Sequence, residues 1–235
     1  METFSLFIPA RSGSKRVLKK NTKPFLPNGM SLLEHKLSQV SRISHNFDQV
    51  VVSTDDQDVI RQLEGFTGID NLIIDNRPVE LCRSDTKVVD LINYVSATVK
   101  AKHVFWLHVT SPFVSETHYL DALEIYKREV VANGVCDSLM SVNRLQQFIW
   151  SDKKSAVINC DRSVNKWPNT QDLEPLFEIN HAFYISSREN YLEFEDRIGK
   201  RPYLYECSGL QKIDIDWPDD FELAQQLLPA YLKNE

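Results

Sequence analysis

The fold class follows from the stretch Phe7-Ile-Pro-Ala-Arg-Ser-Gly-Ser-Lys-Arg-Val-Leu-Lys-Lys-Asn21. It continues an apolar run, Phe4 to Ile8, which predicts a buried first strand. No acidic residue lies between Thr3 and Leu33, although the whole chain has a net charge of −6. A cationic loop directly after a first β-strand is a common way for α/β proteins to hold phosphates. The stretch therefore predicts a phosphate-binding loop, and hence a nucleotide ligand, at the start of an α/β domain.

The loop has one glycine and several cations. Gly13 allows the backbone to approach a phosphate closely, and Arg11 and Lys15 can neutralise its charge. Because Gly13 stands alone, the loop matches neither the Walker A pattern nor GxGxxG. A solvated run of surface charges is the alternative interpretation. The cations are Arg11, Lys15, Arg16, Lys19, Lys20 and Lys23.

The length suits one α/β domain with a full core, or one domain plus a small appendage, and we expect a single domain over residues 1–235. The hydrophobic fraction is 42% and the charged fraction 26%, which is ordinary for a soluble protein. The net charge argues against a general nucleic-acid or membrane-surface binder. The four cysteines form no CxxC pair, and we find neither a signal peptide nor an apolar run of membrane-spanning length. We therefore expect a cytoplasmic enzyme with free thiols that binds neither nucleic acid nor membrane.

Apolar runs alternate with amphipathic segments along most of the chain. This order predicts βαβ units and a mainly parallel sheet, whose ligands bind at the carboxyl ends of the strands. The predicted strands are residues 4–9, 49–53, 71–75, 103–108, 137–142, 182–185 and 203–205. The predicted helices are residues 32–43, opened by a capping box at Ser31, and then 56–63, 86–100, 115–131 and 218–232.

Residues 144–180 break this alternation. The stretch is polar, irregular and rich in Asn, Asp and Gln, and it is long for a loop within a compact domain. It predicts an excursion from the domain that serves either function or dimerisation.

The segment Asp214-Ile-Asp216 places two carboxylates two residues apart. In an extended segment both point the same way, which suits a hard cation such as Mg²⁺. The alternative is that Asp216, Asp219 and Asp220 cap the helix that follows. Asp214 lies too far upstream to belong to that cap.

Polar side chains also follow the third and fourth predicted strands. Arg77 and Ser84 come after the third, and the turn Thr110-Ser111-Pro112 comes after the fourth. These hydroxyls can bind a ligand at the sheet edge, or they can cap the next helix. Of the six histidines, only His108 and His181 lie where we expect the pocket.

Taken in order, these motifs resemble those of the acylneuraminate (CMP-sialic acid) cytidylyltransferases, a family that includes pseudaminic, legionaminic and Kdo-type CMP-sugar synthetases. The resemblance covers nearly the whole chain, and each motif is weak alone. It is carried by Pro9–Lys15, Lys20-Asn21, Ser53–Asp55, Arg77–Leu81, Ser84–Thr86, Thr110–Pro112 and Asp214–Asp216.

The resemblance implies a three-layer, Rossmann-like nucleotidyltransferase fold of the GT-A-like kind, with residues 144–180 as a dimerisation or substrate-capping arm of a homodimer. It implies Mg²⁺ as the cofactor, held by Asp214 and Asp216, which with Arg11 and Lys15 would be the catalytic residues. The implied nucleotide-binding residues are Ala10, Arg11, Ser14, Lys15, Lys20, Asn21, Arg77 and Ser84. The implied sugar-binding residues are His108, Thr110, Ser111, Gln171 and His181.

Departures from the family pattern lie on the sugar side. Sialic acid enzymes usually have Gln before the Thr-Ser-Pro turn and Arg after it, where this chain has His108 and Val114. The family's Asn-Gly-Ala motif contains His181 in place of Gly. The resemblance thus predicts CTP as the nucleotide but leaves the acidic sugar open.

The predicted reaction joins CTP to an acidic 2-keto-3-deoxy sugar, giving a CMP-sugar and pyrophosphate. The acceptor could be a sialic, pseudaminic or legionaminic acid, a Kdo-like sugar, or a phosphonate. A nucleotide-sugar-dependent glycosyltransferase would also use an Asp-x-Asp motif on an α/β sheet. A nucleotide-binding regulatory protein is a third alternative, although it would have little use for the paired carboxylates.

Overall fold

The predicted alternation of strands and helices is present in a computed structural model, which describes residues 2–233. The strands are β1 (Phe4–Pro9), β2 (Gln49–Thr54), β3 (Leu72–Asn76), β4 (His103–Leu107), β5 (Ser138–Leu145), β6 (Trp150–Ser151), β7 (Ala156–Val157), β8 (Leu176–Ser187) and β9 (Pro202–Cys207). The helices are α1 (Leu32–Ile43), α2 (Gln57–Gly65), α3 (Val88–Thr98), α4 (Glu116–Tyr126), α5 (Arg188–Phe194) and α6 (Pro218–Tyr231).

Seven of these strands form one mixed sheet in the order β3-β2-β1-β4-β8-β5-β9. The pairings β3-β2, β2-β1, β1-β4 and β5-β9 are parallel. Strand β8 runs antiparallel to both its neighbours, β4 and β5. Four of the six pairings are therefore parallel, and the predicted α/β fold with a mainly parallel sheet is confirmed.

Helices cover both faces of the sheet, which makes three layers. Leu6 and Ile8 of β1 are fully buried in a core shared with α1, α4 and α6. Phe7, between them, points to the other face and packs in a second core with Trp106 of β4 and Val95 of α3. Burial on both faces explains why β1 is a continuous apolar run, since each fully buried large side chain contributes roughly 1.5–3 kcal/mol.

Helix α1 begins as its sequence predicts. The Ser31 hydroxyl accepts a hydrogen bond from the Glu34 amide at 3.1 Å, and the Glu34 carboxylate accepts one from the Ser31 amide at 2.7 Å. Two backbone donors that a helix start leaves unpaired are thereby satisfied. The apolar face of the helix is buried at Leu33, Leu37 and Val40.

Strand β8 and helix α5 differ from the prediction. β8 begins at Leu176, six residues before the predicted strand, and α5 was not predicted. The pairing of β5 with β8 contains a bulge between Met140 and Val142, which interrupts the simple alternation of side chains. Between β5 and β8 the chain forms the short hairpin β6-β7 and a 3₁₀ turn at Thr170–Asp172. Within residues 2–233, no helix combines the length and the apolar character needed to cross a bilayer.

Candidate functional site

A cavity of about 490 Å³ lies at the carboxyl ends of the central strands. It contains nine of the residues predicted to bind nucleotide or sugar: Arg11, Ser14, Lys15, Lys20, Asn21, Arg77, Ser84, His108 and Thr110. The charged part of its lining consists of Arg11, Lys15, Arg16, Lys20, Arg77 and Arg197. Among the residues described, no acidic side chain lines this cavity. The site is therefore strongly cationic within an acidic protein.

Asp55 holds the loop after β1, at the end of β2. Its two carboxylate oxygens accept hydrogen bonds from the Ser12 amide at 2.7 Å and the Ser12 hydroxyl at 2.6 Å. Although burial opposes it, this hydrogen bonding holds the pKa of Asp55 below its ordinary value. Arg11 Nη1 also donates to the Cys82 carbonyl at 3.1 Å. The loop is thus fixed by two neighbouring segments before any ligand binds.

Ala10 and Arg77 support the floor of the site. Ala10 is buried outside the cavity lining, where its carbonyl accepts a hydrogen bond from the Thr54 hydroxyl at 2.6 Å. Arg77 is 3% exposed and donates to the Ser53 carbonyl at 2.6 Å and to the Ser53 hydroxyl at 3.0 Å. That hydroxyl in turn donates to Asp75 at 2.6 Å. The guanidinium is therefore held in one orientation at the base of the cavity.

The cationic loop meets the Asp-Ile-Asp segment across 195 residues of chain. Lys20 Nζ donates to the Ile215 carbonyl at 2.5 Å and lies 3.8 Å from Asp216. Arg16 forms an ion pair with Asp216 at 2.8 Å. Burial lowers the pKa of Lys20. The cationic loop and the Asp214–Asp216 segment are therefore in direct contact.

Asp214 has an unpaired oxygen. Its Oδ1 atom is buried and has no hydrogen-bond partner, and burial, followed by the nearby Asp216, raises its pKa to about 6. The Thr110 hydroxyl bonds to the same carboxyl group and opposes this rise. A buried unpaired carboxylate oxygen is costly, and a cation ligand would satisfy it. Among residues 2–233 there is no group of three or more His, Cys, Asp or Glu side chains that could hold a metal ion.

Asp220 takes the capping role considered for this segment. Its Oδ2 atom accepts hydrogen bonds from the amides of Asp216 at 3.0 Å and Trp217 at 2.7 Å, at the start of α6. Asp219 is exposed. Asp214 takes no part in the cap, in agreement with its upstream position.

The Thr-Ser-Pro turn rests on α1. Lys36 is fully buried, and its ammonium donates to the carbonyls of Ser111 and Val114, both at 3.0 Å, and to the Tyr119 hydroxyl at 2.5 Å. Ser111 is buried outside the cavity lining, and its hydroxyl has no partner. The amide of Ile215 donates to the Thr110 carbonyl at 2.9 Å. The turn therefore sets the position of Thr110 next to Asp214.

A ring of polar and aromatic side chains forms the other wall. His108 Nε2 accepts hydrogen bonds from Trp106 Nε1 at 2.8 Å and from Arg197 Nη1 at 3.3 Å. Burial, then Arg197 and His181, lowers the pKa of His108 well below its ordinary value. The imidazole is therefore neutral, and because Nε2 accepts, its proton lies on Nδ1.

His181 and Gln171 lie outside the cavity lining. His181 is exposed, has a left-handed backbone with φ of 59°, and shares a 2.6 Å hydrogen bond with the Tyr184 hydroxyl. A histidine thus occupies the backbone conformation for which glycine is the usual choice, at the position where the resembling family has glycine. Gln171 is exposed in the 3₁₀ turn between β7 and β8.

The sequence reasoning missed three side chains of this site. Trp106 lies within the predicted strand 103–108 and Lys36 within the predicted helix 32–43, and nothing in the sequence marks either as part of a site. Arg197 follows an acidic run in the loop after α5, where no motif marks it. Arg16 is one of the predicted loop cations, but its ion pair with Asp216 was not predicted.

Curated relatives match most of the chain. It is 31% identical over 219 residues, 91% of its length, to an N-acylneuraminate cytidylyltransferase of Streptococcus agalactiae serotype III (strain NEM316). It spans about half, 50%, of the length of that relative. It is 29% identical to a CMP-N,N'-diacetyllegionaminic acid synthase of Legionella pneumophila, with 94% of each chain covered. A pseudaminic acid cytidylyltransferase of Campylobacter jejuni is 26% identical, again with 94% of each chain covered.

Solved structures share the fold. A CMP:2-keto-3-deoxy-manno-octonic acid synthetase complexed with CTP superimposes with a TM-score of 0.65 at 17% identity, covering 97% of this chain and 99% of that one. A 4-diphosphocytidyl-2C-methyl-D-erythritol synthase from Anaerococcus prevotii gives a TM-score of 0.63, also at 17% identity, covering 97% and 96% of the two chains. The sequence model of the family described as "Cytidylyltransferase" matches residues 6–235. With that match over nearly its whole length, the chain belongs to the cytidylyltransferase family.

Proposed function

We propose that this protein is a CTP-dependent cytidylyltransferase that activates an acidic 2-keto-3-deoxy sugar, giving a CMP-sugar and pyrophosphate. One observation carries the proposal: the cationic loop after β1 and the Asp214–Asp216 segment meet beside one cavity. Family membership and the activities of the relatives support the same reaction.

The nucleotide would bind along the β1 loop. Arg11, Lys15 and Lys20 supply positive charge for a triphosphate, and Ser14 and Asn21 supply hydrogen-bonding groups at the same wall. Arg77, held by Ser53, and Ser84 lie on the side nearer β3 and support nucleotide binding there.

In the proposed reaction, the anomeric hydroxyl oxygen attacks the α-phosphorus in line. The bond to the bridging oxygen breaks, pyrophosphate leaves, and the hydroxyl proton is released. Charge accumulates on phosphate oxygens, so the work of the protein is positioning and electrostatic stabilisation. Arg11 and Lys15 would stabilise the departing pyrophosphate.

Asp214 and Asp216 would hold Mg²⁺. The buried, unpaired Oδ1 of Asp214 fits such a role, and with two protein carboxylates the remaining ligands would come from substrate or water. When bound, the ion would neutralise phosphate charge and orient the phosphates.

The test is a panel of nucleotides and acceptors with pyrophosphate detection. CTP, UTP and ATP are each supplied with N-acetylneuraminate, pseudaminic, legionaminic and Kdo acids, and with a phosphonate. We expect pyrophosphate release with CTP and at least one sugar acid. Pyrophosphate release only with the phosphonate would show that the acceptor is a phosphonate and not a sugar acid. Transfer of a sugar from a nucleotide sugar, without pyrophosphate release, would indicate a glycosyltransferase. Nucleotide binding without turnover on any acceptor would indicate a regulatory protein.

We propose further that the protein is a homodimer whose contact involves the excursion between β5 and β8. The exposed apolar side chains of this segment support the proposal. They are Trp150, Ile158, Val164 and Trp167.

A further inference from the structure

Arg197 enters the cavity from the wall formed by β4, β8 and the loop after α5. Its guanidinium stacks on the Tyr184 ring at 3.9 Å and on the Trp106 ring at 4.9 Å. It also donates to His108 Nε2 and to the Tyr184 hydroxyl, each at 3.3 Å. The side chain is only partly exposed. Two aromatic faces and two hydrogen bonds therefore fix the position of this cation.

None of the partners of Arg197 is negatively charged. Among residues 2–233, no carboxylate lies within ion-pair distance of it, whereas Arg16 on the opposite wall is paired with Asp216. Its hydrogen-bond partners are a neutral imidazole and a phenol. Partly buried charges are usually paired in folded proteins, so this cation lacks an anion that a ligand could supply.

The backbone that carries Arg197 is itself anchored. The Asp137 carboxylate accepts hydrogen bonds from the amides of Lys200 and Arg201 at 2.9–3.0 Å, and the Ser138 hydroxyl accepts one from the Gly199 amide at 2.8 Å. A Cβ atom on Gly199 would collide with the Asp137 carboxylate that anchors the loop, so glycine suits this close approach. The loop is therefore preorganised, which lowers the entropy cost of binding a ligand through Arg197.

The neighbouring imidazole positions the guanidinium of Arg197. His108 accepts from Trp106 and Arg197 through Nε2, so its ring holds the guanidinium, and its Nδ1–H group points away from Arg197. The guanidinium keeps N–H groups that neither His108 nor Tyr184 uses, and two of them can bind one carboxylate group. The cations suited to a triphosphate come from a different element, the loop after β1.

We infer that Arg197, held by His108 and Tyr184, binds the carboxylate of the acceptor sugar and makes the enzyme selective for acidic sugars. This inference rests on the proposed function. It assigns the anions of the reaction to two walls: phosphates to the β1 loop, and the acceptor carboxylate to the wall carrying Arg197.

The test compares a sugar acid with its methyl ester in wild type, Arg197→Gln, Arg197→Lys and the control Arg201→Gln. Arg201 is an exposed arginine of the same loop. We expect wild type to prefer the acid. Arg197→Gln should raise the KM for the acid about 10- to 100-fold, the range of one charge-assisted hydrogen bond, with the KM for CTP unchanged. The variant should also lose its preference for acid over ester, Arg197→Lys should be intermediate, and Arg201→Gln should match wild type.

The experiment distinguishes a failure of the proposed function from a failure of the Arg197 inference. If wild type releases no pyrophosphate with any sugar acid, the proposed function fails and this inference fails with it. If wild type is active but uses acid and ester equally well, the inference alone is overturned, whether or not the variants fold. A raised KM for CTP in Arg197→Gln, with the acid preference kept, would assign Arg197 to the nucleotide and also overturn it.

Discussion

Asp214 is a carboxylate whose surroundings disfavour its charge. It is mostly buried, it lies near Asp216, and one of its oxygens has no partner. Its raised pKa of about 6 still leaves it ionised near pH 7.5. A buried, partly unpaired carboxylate costs stability, and such groups are typical of functional sites.

Asp214→Asn should abolish most turnover while the fold survives. The amide removes the charge that would hold a cation and also relieves the burial of that charge. We expect a loss of about 10²-fold or more in kcat, the scale of an electrostatic contribution to the transition state, measured by pyrophosphate release. Asp219→Asn, an exposed neighbour, is the matched control and should be near wild type. Thermal melting checks that both variants fold, and near-normal turnover in Asp214→Asn would contradict the metal assignment.

Among the structural elements, the β1 loop depends on the end of β2. Asp55→Ala removes both hydrogen bonds from Ser12 and frees the segment that carries Arg11 and Lys15. We expect the dissociation constant for CTP, measured by calorimetry, to rise about 10-fold because the loop must then be ordered on binding. Asp70→Ala, at an exposed site, is the control and should bind CTP as wild type does. Equal affinity in the two variants would mean that the loop does not need this anchor.

Helix α1 supports the Thr-Ser-Pro turn through one buried ammonium group. Burial lowers the pKa of Lys36 to about 7 from an ordinary value of 10.5. Between these values the unfolded chain binds more protons at this site than the folded protein, so stability rises with pH in this window. Below pH 7 both states carry the charge and this contribution is constant.

Lys36→Met should remove that pH dependence. From pH 7 to 8.5 the free energy of unfolding of wild type should rise by about 1–2 kcal/mol relative to the variant, as measured by urea denaturation. The variant should also be less stable by about 1–3 kcal/mol, because the carbonyls of Ser111 and Val114 each lose one hydrogen bond from the buried amine. Parallel pH profiles for the two proteins would exclude Lys36 as the titrating group.

The elements were predictable to the extent that their signals are local. The apolar runs of β1 and β4 and the capping box of α1 are set by neighbouring residues, and the structure has them where they were expected. The reversal of β8 was not predictable, because an apolar strand looks the same in either direction. Arg197 could not be found for a related reason: its place is set by contacts of its loop with Asp137 and Ser138, far away in sequence.

At the scale of the whole molecule, the exposed apolar side chains between β5 and β8 lead us to expect a dimer. Light scattering should give twice the mass of one chain for wild type. Val164→Glu should shift the mass toward one chain, since Val164 is 83% exposed and a charge there would be buried at a dimer contact. Leu192→Glu, on α5, also replaces an exposed apolar residue and should leave the mass unchanged. A monomeric wild type would contradict the dimer proposal.

The uneven charge of the molecule has a consequence for how fast its substrates arrive. Six cations face one cavity in a chain whose net charge is −6, so the net charge repels an approaching anion while the cavity attracts it. Such focusing raises association rates and is screened by salt, over about 10 Å at 0.1 M ionic strength. We expect the association rate of CTP, measured by stopped flow, to fall steeply as sodium chloride is raised, while its dissociation rate changes far less. An association rate insensitive to salt would mean that the cations act only after contact, so the loop would bind its ligand without guiding it in.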